Sequence, residues 1–272
     1  MFRKQAVAAL VAEFVGTGLL TLAVLSVQRS TIGVPYFVAL GAGLVAAMLG
    51  LVFGSISGGY ANPAITIALW TARKLSSVTT VLYVAVQLLG GWAAYALYSY
   101  FANTNLTAVG GAYTGRVLVA EAVGAFVLAL GFAVVAYRNN LTAGARAALV
   151  GISLAIGIVV AATVGIGLIN PAVALGINAW SVFGSMGWGT YVLGPVLGAV
   201  IGVNLYGLLF ADVAAAKAIA AEAVVVEEVV VTETVTPTAS KKTVSKKTST
   251  KGASTTKKAA VKKPAAKKTA KK

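Results

Sequence analysis

Asn62-Pro63-Ala64 and Asn170-Pro171-Ala172 are the residues of this 272-residue chain whose types and spacing could do chemistry. Each triplet interrupts an apolar run, "SGGYANPAITIALW" and "VGIGLINPAVALGINAW", where a polar amide needs a reason to be. Asn is a favoured helix N-cap, and Pro suits the first helical position because it has no N–H to lose. The triplet therefore predicts the start of a short helix inside apolar surroundings, twice. If both helices begin near one point, their positive ends converge there and the asparagine amides offer donors to one cavity, a centre that repels cations. One copy alone is read as readily as the cap of a re-entrant turn; two copies in equivalent positions favour a shared pore.

Two carboxylates, Glu13 and Glu121, also lie in apolar runs, where a charge is costly unless paired or hydrogen-bonded. No basic residue falls within the apolar runs, so the expected partners are backbone N–H groups of the irregular segments leading into the half-helices. Each Glu would then brace one loop; a proton relay is the rival reading. The chain has no Cys and no His, which removes thiol chemistry, histidine bases and the commonest transition-metal ligands. No enzyme constellation is visible, and neither a cofactor nor a metal is expected.

The elements that must hold these residues follow from composition. Hydrophobic residues make up 58% and charged residues 11% of the chain, with a mean hydropathy of +0.88; a soluble domain carries roughly 25% charged residues. Apolar stretches near the ~20 residues that span a bilayer run about 7–27, 36–53, 80–101, 117–137, 147–166 and 188–210. The first exceeds the length of a signal-peptide core and is read as a retained span. Two pieces too short to cross, 63–70 and 171–180, lie between spans two and three and between spans five and six. Basic residues in the short loops place Arg3, Lys4, Arg73, Lys74, Arg138 and Arg146 on one side and Arg29 and Arg116 on the other. The positive-inside rule then puts both termini in the cytoplasm, in a plasma or inner membrane. Trp188, Tyr191, Tyr36, Tyr98, Tyr100 and Tyr137 near span ends suit an interfacial aromatic belt.

The two triplets stand 170 − 62 = 108 positions apart, and the same offset aligns Ala12-Glu13 with Ala120-Glu121, Gly16 with Gly124, Leu89-Gly90 with Leu197-Gly198 and Leu97-Tyr98 with Leu205-Tyr206. Each half (about 7–101 and 117–210) holds three spans and one short piece. An odd number of spans inverts the second half relative to the first. The expected fold is an all-α membrane protein of six transmembrane helices and two re-entrant half-helices in an inverted 3+3 repeat, over residues 1–210. Small residues at every fourth position, Ala42, Ala46, Gly50 and Gly54 in span two and Gly194, Gly198 and Gly202 in span six, are expected at helix contacts.

From residue 211 the chain changes to an Ala/Val/Glu linker, 211–235, and then to a Lys-rich tail, 236–272, without acids or aromatics. Such a composition buries no core and predicts disorder. Its lysines are expected to contact anionic lipid at the cytoplasmic surface; nonspecific nucleic-acid contact and a protein docking site are the other readings.

"AEFVGTGLL", "SGGYANPAIT", "INPAVALG" and "LGPVLGAVIG", in this order with two Asn-Pro-Ala boxes, resemble the aquaporin (major intrinsic protein) family over about residues 7–210. The resemblance implies a narrow pore in each subunit of a homotetramer, passing water or small uncharged solutes such as glycerol. It also implies an outer constriction of four positions that usually holds an Arg, an aromatic residue, often a His, and a small residue of the second loop. Alignment from the two asparagines places Ala42, Ile158, Gly167 and Val173 at those four positions, none charged or aromatic. The constriction is therefore expected to be wide and apolar, without selectivity for water alone. Tyr60 replaces the family's usual His two residues before the first Asn. A passive channel is the expected function. An ion-coupled secondary transporter and a non-conducting structural or adhesive protein are the alternatives, separated from it by gradient dependence and by flux.

Overall fold

The computed structural model of the chain describes residues 4–30, 34–107, 114–177, 187 and 189–213. Arg3, Trp180, Trp188 and the linker and tail from residue 214 lie outside the described residues. The chain divides into a unit of residues 1–226 and a second of 227–272, and all elements named here belong to the first.

Six long helices carry the apolar stretches: α1 (Lys4–Gln28), α2 (Pro35–Phe53), α4 (Ser77–Ala102), α5 (Gly115–Tyr137), α6 (Ala143–Ala161) and α8 (Gly194–Leu209). A π-helical turn, Gly189–Leu193, precedes α8, and each of the six segments is long and apolar enough to cross a membrane. Among the described residues, α3 (Pro63–Thr71) and α7 (Pro171–Gly176) are short helices. Thr114 and Thr142 accept hydrogen bonds from Val117 N and Ala145 N and start α5 and α6 earlier than the apolar pattern does. Arg116 and Arg146 thus lie in first helical turns, contrary to the expectation that the spans hold no base. Arg146 Nε donates to Leu141 O at 3.1 Å and one of its terminal nitrogens to Asn139 O at 3.2 Å.

The 108-residue offset reappears as geometry. A Cβ on Gly43 would stand 2.7 Å from Gly151 O, and one on Gly151 would stand 2.5 Å from Gly43 O. Partners 151 − 43 = 108 positions apart that touch each other reciprocally lie on the pseudo-two-fold axis. The same pairing recurs off the axis: Gly90 packs on Phe14 O as Gly198 packs on Ala122 O, and Gly16 faces Leu49 as Gly124 faces Gly157. At Gly90, Gly198 and Gly124 the close backbone approach needs the missing Cβ, whereas Gly16 meets the Leu49 side chain at ordinary contact distance. In α8 the predicted stripe does this work, since Gly194, Gly198 and Gly202 all meet α5. In α2 the stripe is corrected. Gly50 of the stripe touches α6 as expected, as does Gly43, whereas Ala42 and Ala46 line interior cavities.

Many bulky apolar side chains point outward, among them Leu44 at 64% and Val81 at 68% exposure, while the buried interior mixes Ala with Leu, Val and Ile and holds the polar side chains of Glu13, Asn62, Gln87, Glu121 and Asn170. That distribution fits lipid as the surrounding solvent. Tyr36 and Tyr100 are exposed near helix ends as an aromatic belt requires; Tyr137 instead packs under Lys74, whose Nζ is 3.8 Å from the ring centroid. Tyr191 departs further from expectation. It is 1% exposed, on a π-helical turn that packs against α5, so its ring is covered by protein and not presented to lipid.

Candidate pore

Asn62 and Asn170 cap the half-helices that follow them. Asn62 Oδ1 accepts from Ala64 N at 2.9 Å, and Asn170 Oδ1 accepts from Ala172 N at 3.0 Å and Val173 N at 3.4 Å. The amide nitrogens cross between the halves: Asn62 Nδ2 donates to Ile169 O at 3.1 Å and Asn170 Nδ2 to Ala61 O at 2.8 Å. The N-termini of α3 and α7 therefore meet. Each amide has two N–H groups, so the cross-link uses one and leaves one on each Asn for the cavity that both line. Pro63, Ala64, Pro171 and Ala172 are buried in the first turns behind them.

The loops leading to the caps are strained in matching places. Ala61 has φ 46° and its repeat mate Ile169 φ 44°; Gly59 has φ 62° and its mate Gly167 φ 66°. The left-handed conformation is a true outlier for a β-branched residue such as Ile169 and persists only where the surroundings enforce it. The two carboxylates enforce it. Glu13 Oε2 accepts from Ala61 N at 2.8 Å and Oε1 from Tyr60 N at 3.0 Å. Glu121 Oε1 accepts from Leu168 N at 2.9 Å and Oε2 from Ile169 N at 2.6 Å. Glu13 also accepts from Ser57 Oγ at 2.6 Å and Gln87 Nε2 at 2.7 Å. Ser57 and Gln87 escaped sequence reasoning because their repeat mates are Gly165 and Pro195. A glutamine inside an apolar span was the available signal.

Three cavities lie in sequence past the asparagines. A vestibule of about 410 Å³ opens between α2, α5 and α6 beside Arg146 and Tyr60. Next is a cavity of about 10 Å³ bounded by Tyr60, Phe132, Leu20, Leu154 and both asparagines. A third, also about 10 Å³, lies beyond Asn170. A volume of that size is about one water. The third cavity brings Ala42, Ile158, Gly167 and Val173 together. It is apolar, as their types suggest, but it is not wide. Leu20, Val24, Val38 and Leu154 fill the space that small Ala42 and Gly167 leave; nothing in their apolar runs distinguished them from lipid-facing residues. Gly167 is needed for its backbone, since a Cβ there would stand 2.6 Å from Ile158 O.

Residues 1–206 match the family model described as major intrinsic protein. Aquaporin AqpM of Methanothermobacter thermautotrophicus is 31% identical over 180 residues, covering 58% of this chain and 70% of its own. Human Aquaporin-4 is 34% identical over 176 residues, covering 62% of this chain and 54% of its own. The structure of the aquaglyceroporin from Plasmodium falciparum superposes with a TM-score of 0.63 at 19% identity, over 76% of this chain and 99% of that one, a likeness of fold. Inverted half-helices joined at their asparagines and the family match over residues 1–206 agree: the chain belongs to the major intrinsic protein family.

Proposed function

We propose that water and small uncharged solutes such as glycerol cross the membrane passively through this protein, in single file past Asn62 and Asn170. The observation that carries the reading is the reciprocal cross-link of the two amides, which leaves each a second N–H to offer the cavity of about one water that both asparagines line. A water there accepts from the asparagines and keeps its own hydrogens directed away from the midpoint, which breaks a proton wire. The converging helix N-termini oppose cations. Beyond them Ala42, Ile158, Gly167 and Val173 act as an apolar outer constriction that gives water little hydrogen bonding.

Both carboxylates are engaged with loop N–H groups, so neither Glu13 nor Glu121 stands free as the coupling group that an ion-coupled transporter needs. Family membership also speaks for a channel over an enzyme or a purely structural protein. The integral, multi-pass location follows from the six spans. The finer readings are that the subunits form a homotetramer, that both termini face the cytoplasm, and that the Lys-rich tail rests on anionic lipid at about 1 kcal/mol per lysine near the surface. Equal binding of full-length and tail-deleted protein to anionic vesicles at low salt would remove the lipid reading. The pore itself is tested by osmotic shrinkage of proteoliposomes, in which water and glycerol should cross faster than in empty liposomes.

A further inference from the structure

The vestibule and the cavity beside the asparagines share three lining residues, Tyr60, Phe132 and Val150, and across them the space falls from about 410 to about 10 Å³. Their repeat mates at the 108-residue offset are Leu168, Val24 and Ala42, and all three line the outer cavity. At every one of the three positions the vestibule side carries the larger residue. It has two aromatic rings where the outer side has none.

The rings are also fixed in place. Tyr60 and Phe132 meet edge to face with centroids 5.9 Å apart, and Tyr83 lies 6.1 Å from Tyr60 on another side. Tyr83 OH donates to Ser57 O at 3.2 Å, and Ser57 and the Tyr60 backbone are both held by Glu13. The Tyr60 ring tip lies against Gly58, where a Cβ would overlap it. Phe132 is 4% exposed. A planar ring packed on several sides yields less to a passing solute than aliphatic side chains, which have rotamers to exchange. The Tyr60 hydroxyl makes no hydrogen bond to another described residue, so it is available to a solute at the neck.

We propose that the ring of Tyr60, Phe132 and Val150 at the vestibule neck, and not the outer cavity, sets the upper size of the uncharged polyols this channel admits. The inference rests on the channel reading and adds to it where discrimination occurs. Two necks in series behave so that widening the tighter one changes the cut-off and widening the other does not.

The test is to reconstitute wild type, Phe132→Val and Tyr60→Leu, each of which installs the repeat mate's residue, and to follow water, glycerol and the longer polyol ribitol by stopped-flow light scattering. Wild type should pass water and glycerol and hold ribitol near the rate of empty liposomes. Each variant should raise ribitol flux by about tenfold, which corresponds to about 1.4 kcal/mol of barrier. The two substitutions lie on different elements, so a folding failure of one leaves the other as the test; water flux shows that a variant is inserted and open. Wild type that conducts water and glycerol while ribitol flux is unchanged in both variants, or rises in Val173→Ala instead, overturns the assignment and leaves the channel reading intact. Free passage of ribitol through wild type overturns it as well. Absence of water and glycerol flux in wild type overturns the channel reading and this assignment together.

Discussion

Asn62 and Asn170, 108 positions apart, each cap one half-helix and hold the loop of the other: Asn62 Nδ2 donates to Ile169 O and Asn170 Nδ2 to Ala61 O. Neither half-pore is complete alone. Removing either side chain loses a cap, about 1 kcal/mol, and leaves a buried carbonyl without its donor, about 1–3 kcal/mol. Asn62→Ala and Asn170→Ala should each lower stability by a few kcal/mol in thermal unfolding. The double variant should lose less than the sum, because residues in one network are coupled. Strict additivity would contradict the cross-link.

Charge at the same point should alter exclusion. Asn170→Asp places a carboxylate among the converging helix N-termini and removes the donor to Ala61 O. Rings of acidic side chains admit cations. Liposomes loaded with a pH-sensitive dye should show a proton or cation leak in this variant above that of wild type, and an equal leak in both would count against exclusion at the asparagines.

The Glu13 network should fail unevenly. Glu13 accepts four hydrogen bonds, from Ser57, Tyr60, Ala61 and Gln87, and Glu13→Gln turns an amide NH₂ toward some of those donors. Hydrogen bonds to a charged group are worth about 1.5–3 kcal/mol, so the loss should reach several kcal/mol. Ser57→Ala removes one donor of the four and should cost about 1 kcal/mol. Denaturation in detergent compares the two, and equal costs would show that the carboxylate does not organise the loop.

Gly167→Ala meets two obstacles, a φ of 66° and a Cβ position 2.6 Å from Ile158 O. The left-handed conformation alone costs an L-residue roughly 1–2 kcal/mol, and the overlap adds to it. The variant should show reduced thermal stability and slower glycerol flux, whereas Gly144→Ala, which meets nothing within 4 Å, should show neither.

Much of this was legible in the sequence. Six apolar stretches fixed the spans, and an ungapped repeat with an odd number of spans per half implied the inversion that the Gly43 and Gly151 contact displays. Asn62, Asn170, Glu13 and Glu121 stood out because polar groups in lipid need a purpose. The interior walls were harder. In a protein surrounded by lipid, hydropathy no longer separates inside from outside, so Leu20, Val24, Phe132 and Leu154 looked no different from Leu44 or Val81. For the same reason Ala42 and Ala46 passed for helix contacts. Ser57 and Gln87 were hidden by the repeat itself, which has no counterpart for either.

Val173, 3% exposed beside a cavity of about 10 Å³, belongs to the outer wall of the proposed pore for water and small neutral solutes. The decisive measurement is stopped-flow shrinkage of proteoliposomes under gradients of an impermeant sugar and of glycerol, with wild type and Val173→Arg side by side. Water and glycerol should move fast through wild type, and glycerol markedly more slowly once Arg fills the cavity. Rates equal to those of empty liposomes for both solutes, or glycerol flux untouched by the Arg, would contradict the proposed pore.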